Sequence, residues 1–240
     1  MARKGNQRPQ RTAQSEPLVL TKADGSAVFE LEGEALEPLR HMVSLLVGTN
    51  TLPKSAAVVG ALREEGVSHV ALSLGLVLAH DLAMSVCVVD LNWWWPALRA
   101  RIDGPEGPGV AEVILGTGSL DQALIPTSVP GLTVLPAGEM PVARRPIAAR
   151  GAELPVLVHE LSRRYERLIF DVPALLATSD GITLAALAEC CLVVVRQGVT
   201  PSGTLRVALD DVAHLKMLGV VLNRTRIATP RLLRWLFPQV

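Results

Sequence analysis

Gly60-Ala-Leu-Arg63-Glu64-Glu65-Gly66-Val67-Ser68 follows the apolar run Ser55-Ala-Ala-Val-Val59 and leads into a long amphipathic pattern over residues 68–83. A strand, a glycine-bounded loop and a helix opening on Gly-x-Ser form a layout that handles phosphate. Backbone N–H groups cradle the phosphates, a lysine reaches the outer oxygens, and a Ser or Thr hydroxyl holds Mg²⁺. Val67 occupies the lysine position here, so ordinary ATP hydrolysis is not expected of this loop. Asp90 and Asp171 each close an apolar run, where a carboxylate serves either a metal or base role or simply ends a strand. Cys87, Cys190 and Cys191 lie inside Val/Leu-rich runs without metal-ligand spacing, and are expected to pack a core in a reducing cytosol.

The elements that must position these groups follow from the hydrophobic pattern. The spacing predicts a helix over 32–46, with Leu36, Leu39, Met42, Val43 and Leu46 on one stripe. Further helices are expected over 68–83, 119–124, 153–165, 182–188, 201–215 and 230–236. Apolar strands are expected over 56–59, 85–90, 131–135, 167–171, 190–196 and 218–223. Strands that alternate with helices and are apolar throughout predict a three-layer α/β fold with a mostly parallel central sheet. In such sheets ligands bind beyond the C-terminal strand ends. Residues 60–68, Asp90, Asp171 and Asn223 all fall there, so they are expected to converge.

With 240 residues and 23 basic against 23 acidic side chains, one domain is the simplest organisation, and a broad nucleic-acid surface is not favoured. Residues 67–89 are interrupted by His69, His80 and Asp81, and 181–195 contain Glu189, so neither stretch reads as a membrane span. Residues 1–30, with Arg3, Lys4, Arg8 and Arg11 and no apolar run typical of a secretory signal, read as a polar tail before a domain over 31–240. A cytoplasmic chain, at most peripheral at the inner face of the membrane, is the expectation.

From about residue 34 to residue 224 the chain resembles the cytoplasmic P-loop domain of the bacterial tyrosine kinases of capsular and exopolysaccharide synthesis, within the MinD/ParA-like superfamily. The resemblance rests on Ile125-Pro-Thr-Ser-Val-Pro-Gly-Leu-Thr-Val-Leu-Pro-Ala-Gly138, Tyr165-Glu-Arg-Leu-Ile-Phe-Asp171-Val-Pro173 and Ser179-Asp180-Gly181. Val193-Val-Val-Arg196-Gln-Gly-Val-Thr200 and Leu218-Gly-Val-Val-Leu-Asn223-Arg224 complete it. It implies a P-loop NTPase-like fold and an ancestral ATP and Mg²⁺ site. In that site Gly60, Gly66 and Ser68 form the loop, Ser68, Asp90 and Asp171 hold the metal, the two aspartates act in catalysis, and Asn223 lies near the adenine.

The departures are as informative as the matches. Gly66-Val67-Ser68-His69 stands where the family reads Gly-Lys-Ser-Thr, and Asp90-Leu91-Asn92 replaces its Asp-x-Asp. Glu64 and Glu65 then face any triphosphate with Arg63 as the single cation expected nearby. Tyr165 is the one tyrosine, so self-phosphorylation is not expected. Glu37 replaces a family arginine in the motif Glu34-Ala-Leu-Glu37-Pro-Leu-Arg40, which points to a monomer or dimer instead of a ring. Trp93-Trp94-Trp95 replaces Leu-Arg-Arg: Trp93 is expected in the core, with Trp94 and Trp95 outward as a partner dock. A second patch of Trp235 and Phe237 is weaker. The resulting expectation is a binding or regulatory subunit without a resident cofactor. Its partner is a membrane polysaccharide co-polymerase or an active kinase paralogue. The alternative is an active ATPase or tyrosine kinase with an unorthodox phosphate loop.

Overall fold

A computed structural model of the chain describes residues 16–224. Strands β1 (Leu18–Thr21) and β2 (Ala27–Leu31) pair as an antiparallel hairpin. Helix α1 (Gly33–Gly48), strand β3 (Ser55–Gly60), helix α2 (Val67–Leu82) and strand β4 (Val86–Asp90) follow. Three short helices come next, α3 (Leu98–Arg101), α4 (Val110–Ile114) and α5 (Leu120–Ala123), then β5 (Ile125–Pro126) and β6 (Leu132–Leu135). The second half contains α6 (Arg145–Arg150), α7 (Glu153–Arg164), β7 (Arg167–Asp171), α8 (Gly181–Ala185), β8 (Cys190–Arg196), α9 (Ser202–Asp211) and β9 (Met217–Asn223).

The main sheet runs β5-β6-β4-β7-β3-β8-β9, and only β5 is antiparallel within it. Its inner strands are apolar throughout because both faces are covered. Along β3, Ala57 and Val59 point into one core while Ala56 and Val58 point into the other. The same alternation sorts Cys191 and Val193 from Cys190 and Leu192 along β8. One core lies under α7 and α8, and the second lies under α1, α2 and the hairpin. All three cysteines are buried and unpaired, and burial pushes the Cys191 thiol up to about 12.

The three-layer arrangement and the order of the longer elements agree with the pattern read from the sequence. Three differences matter. Residues 18–30, expected in a polar tail, form most of the hairpin, and Leu18, Leu20 and Phe29 are buried with Leu31 in the second core. Leu18 and Leu20 alternate with outward residues over only four positions, too short a run to stand out against a polar neighbourhood. Helix α9 stops at Asp211, where the Asp210-Asp211 pair opposes the negative helix end. Helices α3 and α6 were not anticipated, since four to six residues carry no readable period. The helix expected over 230–236, the patch at Trp235 and Phe237, and the basic residues before position 16 lie outside the described residues.

Candidate functional site

The loop between β3 and α2 is shaped by its own side chains. Gly66 adopts φ +97° at the start of α2, and a Cβ there would lie 2.1 Å from the amide nitrogen of Asn223. Glycine thus lets Asn223, at the end of β9, reach across and donate to the carbonyl of Glu65 at 2.8 Å. Asn223, expected near an adenine, braces the loop through this bond. Glu65 turns inward and is 1% exposed. One carboxylate oxygen accepts from Leu62 N at 3.0 Å, and the other from the Thr200 hydroxyl beyond β8. A Cβ on Gly60 would meet that carboxylate at 2.6 Å, which fixes the requirement for glycine at the loop's entrance. Glu65 was expected to face a triphosphate; its hydrogen bonds to the loop and to Thr200 hold it away. The Val67 side chain lies beside Gly60 and against the second core, an apolar group at the loop's centre.

Asp90 and Asp171 converge as expected, since β4 and β7 are parallel neighbours with these two residues in register. Both are fully buried, but their surroundings differ. Asp90 accepts from Asn92 N at 2.9 Å and from Ala97 N and Leu98 N at 3.1 Å, so its carboxylate closes the turn and caps α3. Burial pushes Asp90 up to about 6, although the three N–H bonds favour its charged form. Neither oxygen of Asp171 completes a hydrogen bond. Burial, and then the charge of Asp90, raise Asp171 well above the usual carboxylate range; the nearby Ser68 hydroxyl and Arg101 oppose this more weakly. The two carboxyls therefore titrate together, each raised by burial, with the charge of Asp90 adding to the shift of Asp171.

The three tryptophans differ in exposure, Trp93 being buried and Trp94 and Trp95 partly exposed. Trp93 is buried, as expected, and donates to the Ala137 carbonyl at 3.0 Å. Trp94 is half-buried against the first core, 6.1 Å from the Trp93 ring and beneath Arg145. Trp95 lines the cavity beside the loop, with the Arg63 guanidinium 4.0 Å above its ring. Consecutive residues in a turn fan around the chain, so the last of the three is directed at the loop.

Arg63 is not the single cation at this cavity. Arg101 from α3, Arg196 from the end of β8 and Arg224 beyond β9 line the same space of about 390 Å³. Arg196 and Arg224 sit at C-terminal strand ends, where the ligand rule for parallel sheets had already placed Asn223. Arg101 had no such signal, because only the Asp90 cap on α3 brings it in. His69, in the first turn of α2, packs against Phe29 with ring centres 5.0 Å apart and planes tilted by 45°; burial, then the charges of Arg101 and Arg224, hold it below the ordinary histidine range.

No protein-family model matches the chain. It is 27% identical over 204 residues to the tyrosine-protein kinase ptk of Acinetobacter johnsonii, covering 82% of this chain and 27% of that protein. It is 26% identical over 178 residues to the tyrosine-protein kinase YwqD of Bacillus subtilis, covering 73% and 74%. The succinoglycan biosynthesis transport protein ExoP of Rhizobium meliloti matches at 28% over 174 residues, covering 70% of this chain and 22% of that protein. The chain thus spans about a quarter of the longer relatives and about three-quarters of YwqD. Among solved structures, the VpsO kinase domain superposes with a TM-score of 0.71 at 26% identity, over 80% of this chain and 98% of that one. The septum site-determining protein MinD of Pyrococcus horikoshii, bound to Mg-ADP, shares the fold at a TM-score of 0.60 and 19% identity, over 78% of each chain. In sequence and in fold, the chain is a relative of the bacterial tyrosine kinases of capsule and exopolysaccharide synthesis, on the scaffold it shares with MinD.

Proposed function

We infer that this domain serves capsule or exopolysaccharide synthesis as a binding or regulatory subunit, and that its phosphate loop does not run Mg²⁺-dependent ATP hydrolysis. The observation that carries this reading is Val67, an apolar side chain packed beside Gly60 where a phosphate loop needs a cation. A charge-assisted contact of this kind contributes about 1.5–3 kcal/mol to binding, and it also stabilises charge in the transition state.

The donor set does not fit an ordinary Mg·ATP complex. Ser68 beside the unpartnered Asp171 carboxyl suits one edge of a hydrated Mg²⁺. Asp90, however, has its carboxylate engaged by three backbone N–H groups, and among the described residues no group of three metal-binding side chains gathers. The envisaged partner is a membrane polysaccharide co-polymerase or a competent kinase paralogue. Relatives in which this region is only a quarter of a longer chain support a role beside other segments or subunits. Among the described residues no helix is long and apolar enough to cross a membrane, which fits a domain acting at the inner membrane face.

A second reading, an ATPase or tyrosine kinase with arginine as the phosphate cation, is favoured by the four guanidinium groups at the cavity. Phosphate release and tyrosine phosphorylation under Mg·ATP separate the two. The first reading expects both at the blank level. A turnover that Asp90→Asn abolishes would replace it with the second.

A further inference from the structure

The segment that follows β6 sets apolar side chains in water beside arginines. Val142, in a 3-10 turn over Val142–Arg144, is 73% exposed, and Ile147 on α6 is 70% exposed. Among the described residues these are the two most exposed large apolar side chains. Five residues of helical turn separate them, so they lie within about 10 Å of each other. Pro141, Ala143 and Pro146 beside them are exposed as well. Single apolar residues scattered over a surface are ordinary, but an apolar run gathered at one place marks a contact.

The segment is clamped at both ends. Met140 and Ala149 are buried in the first core. Arg145 donates to the Met140 carbonyl at 3.2 Å and lies over the Trp94 ring at 5.8 Å. Arg150 donates to the Pro146 carbonyl at 3.0 Å and pairs with the buried Asp180 ahead of α8. These ties hold the turn and α6 in place with Val142 and Ile147 directed outward.

The charge here has one sign. From Met140 to Ala152 the chain carries three arginines and no acidic residue, and Glu139 and Glu153 bound the run. Arg144 is exposed and makes no ion pair among the described residues. The run also holds no Ser, Thr, Asn, Gln or Tyr, so its side chains offer no directional acceptor to a protein surface. Trp94, partly exposed beneath Arg145, adds a ring with an apolar body and a polar N–H. Apolar side chains among cations, with a tryptophan at their base, suit the boundary between anionic headgroups and acyl chains.

We propose that residues 141–147 form a membrane-docking surface, which sets Val142 and Ile147 into the interfacial layer of an anionic bilayer and Arg144 against lipid phosphates. The proposal rests on the reading that the domain acts at the inner membrane face, and it names the surface that makes that contact. A fluid anionic layer needs only positive charge and shallow apolar depth from the protein, and this segment supplies both.

The test is co-sedimentation of the full chain with vesicles of phosphatidylglycerol and phosphatidylethanolamine, beside vesicles of phosphatidylcholine alone, at low and high salt. Binding is expected to the anionic vesicles only, and it should fall as salt rises. Val142→Ser together with Ile147→Ser should lower the partition coefficient roughly tenfold, and Arg144→Gln roughly fivefold. The thermal midpoint should hold in both variants, because all three side chains are exposed. Arg144→Lys, which keeps the charge, should bind as the parent does. Absence of binding to anionic vesicles, or equal binding to phosphatidylcholine, overturns the proposal. The functional reading then still stands, since a membrane-embedded partner can hold the domain at the bilayer. Binding that survives these changes but is lost with Arg3→Ser, Lys4→Ser, Arg8→Ser and Arg11→Ser together also overturns it, assigning the contact to the chain's first residues. A dimer in light scattering that Ile147→Ser dissociates identifies a second copy as the occupant and overturns it too.

Discussion

Asp90 and Asp171 end adjacent strands in register, out of reach of water, and two carboxylates so placed repel each other if both are ionised. The backbone decides which one keeps its charge: three N–H groups converge on Asp90, and none reaches Asp171. Both groups bind protons more tightly folded than unfolded, so the native state is favoured below the unfolded value of 3.8. That stability is lost as pH rises through about 6 for Asp90 and through the raised range of Asp171. Each group alone changes stability by about 1.4 kcal/mol per pH unit within its window. Asp171→Asn should therefore stabilise the protein at pH 7 and lose that advantage progressively toward pH 4, as read by denaturant unfolding at several pH values. A difference from the parent that is constant with pH would sink this account of the pair. The aspartates, Ser68 and Gly66 were legible in the sequence because strand ends and loop glycines announce themselves through pattern. Glu65 was misread because its orientation depends on Thr200 and Asn223, which reach it only once β8 and β9 lie beside β3.

At the scale of elements, the long apolar strands and amphipathic helices were readable because period 2 and period 3.6 persist over whole segments. The short pieces were not. Helix α3 exists because Asp90 caps it, a cause lying outside the helix itself. The hairpin of β1 and β2 is held by where it docks, with Leu20 and Leu31 both about 1% exposed against the core beneath α1 and α2. Leu20→Ala should accordingly lower unfolding free energy by about 2–5 kcal/mol. An unchanged denaturation midpoint would show that the hairpin is no part of the folded core. The hairpin also sets Phe29 against His69, tying the first turn of α2 to an element the sequence pattern had left as tail.

On the scale of the whole molecule, a formal net charge of zero conceals a strong local polarity. The cavity beside the loop is lined by arginines, while a larger cavity of about 670 Å³ on the other side of α3 is lined by Asp103, Glu106 and Glu139 among others. Composition cannot report such a division, because it is created by which strand ends and turns meet. Arg40 of α1 is engaged within the fold, bonding Asp81 at 2.7 Å and reaching Glu37 at 3.4 Å. The relation to the kinases reaches the scaffold, and the proposed loss of Mg·ATP chemistry turns on one side chain in the loop, Val67. Calorimetric titration with Mg·ATP of the unaltered chain beside Val67→Lys is the most direct measurement of that claim. The unaltered chain should show no micromolar affinity that depends on Mg²⁺. The lysine, entering beside Gly60 on a loop backbone already formed, should introduce that dependence and tighten Mg·ATP binding roughly tenfold to a hundredfold. Micromolar, Mg²⁺-dependent binding by the unaltered chain, with no gain from the lysine, would contradict the proposed function.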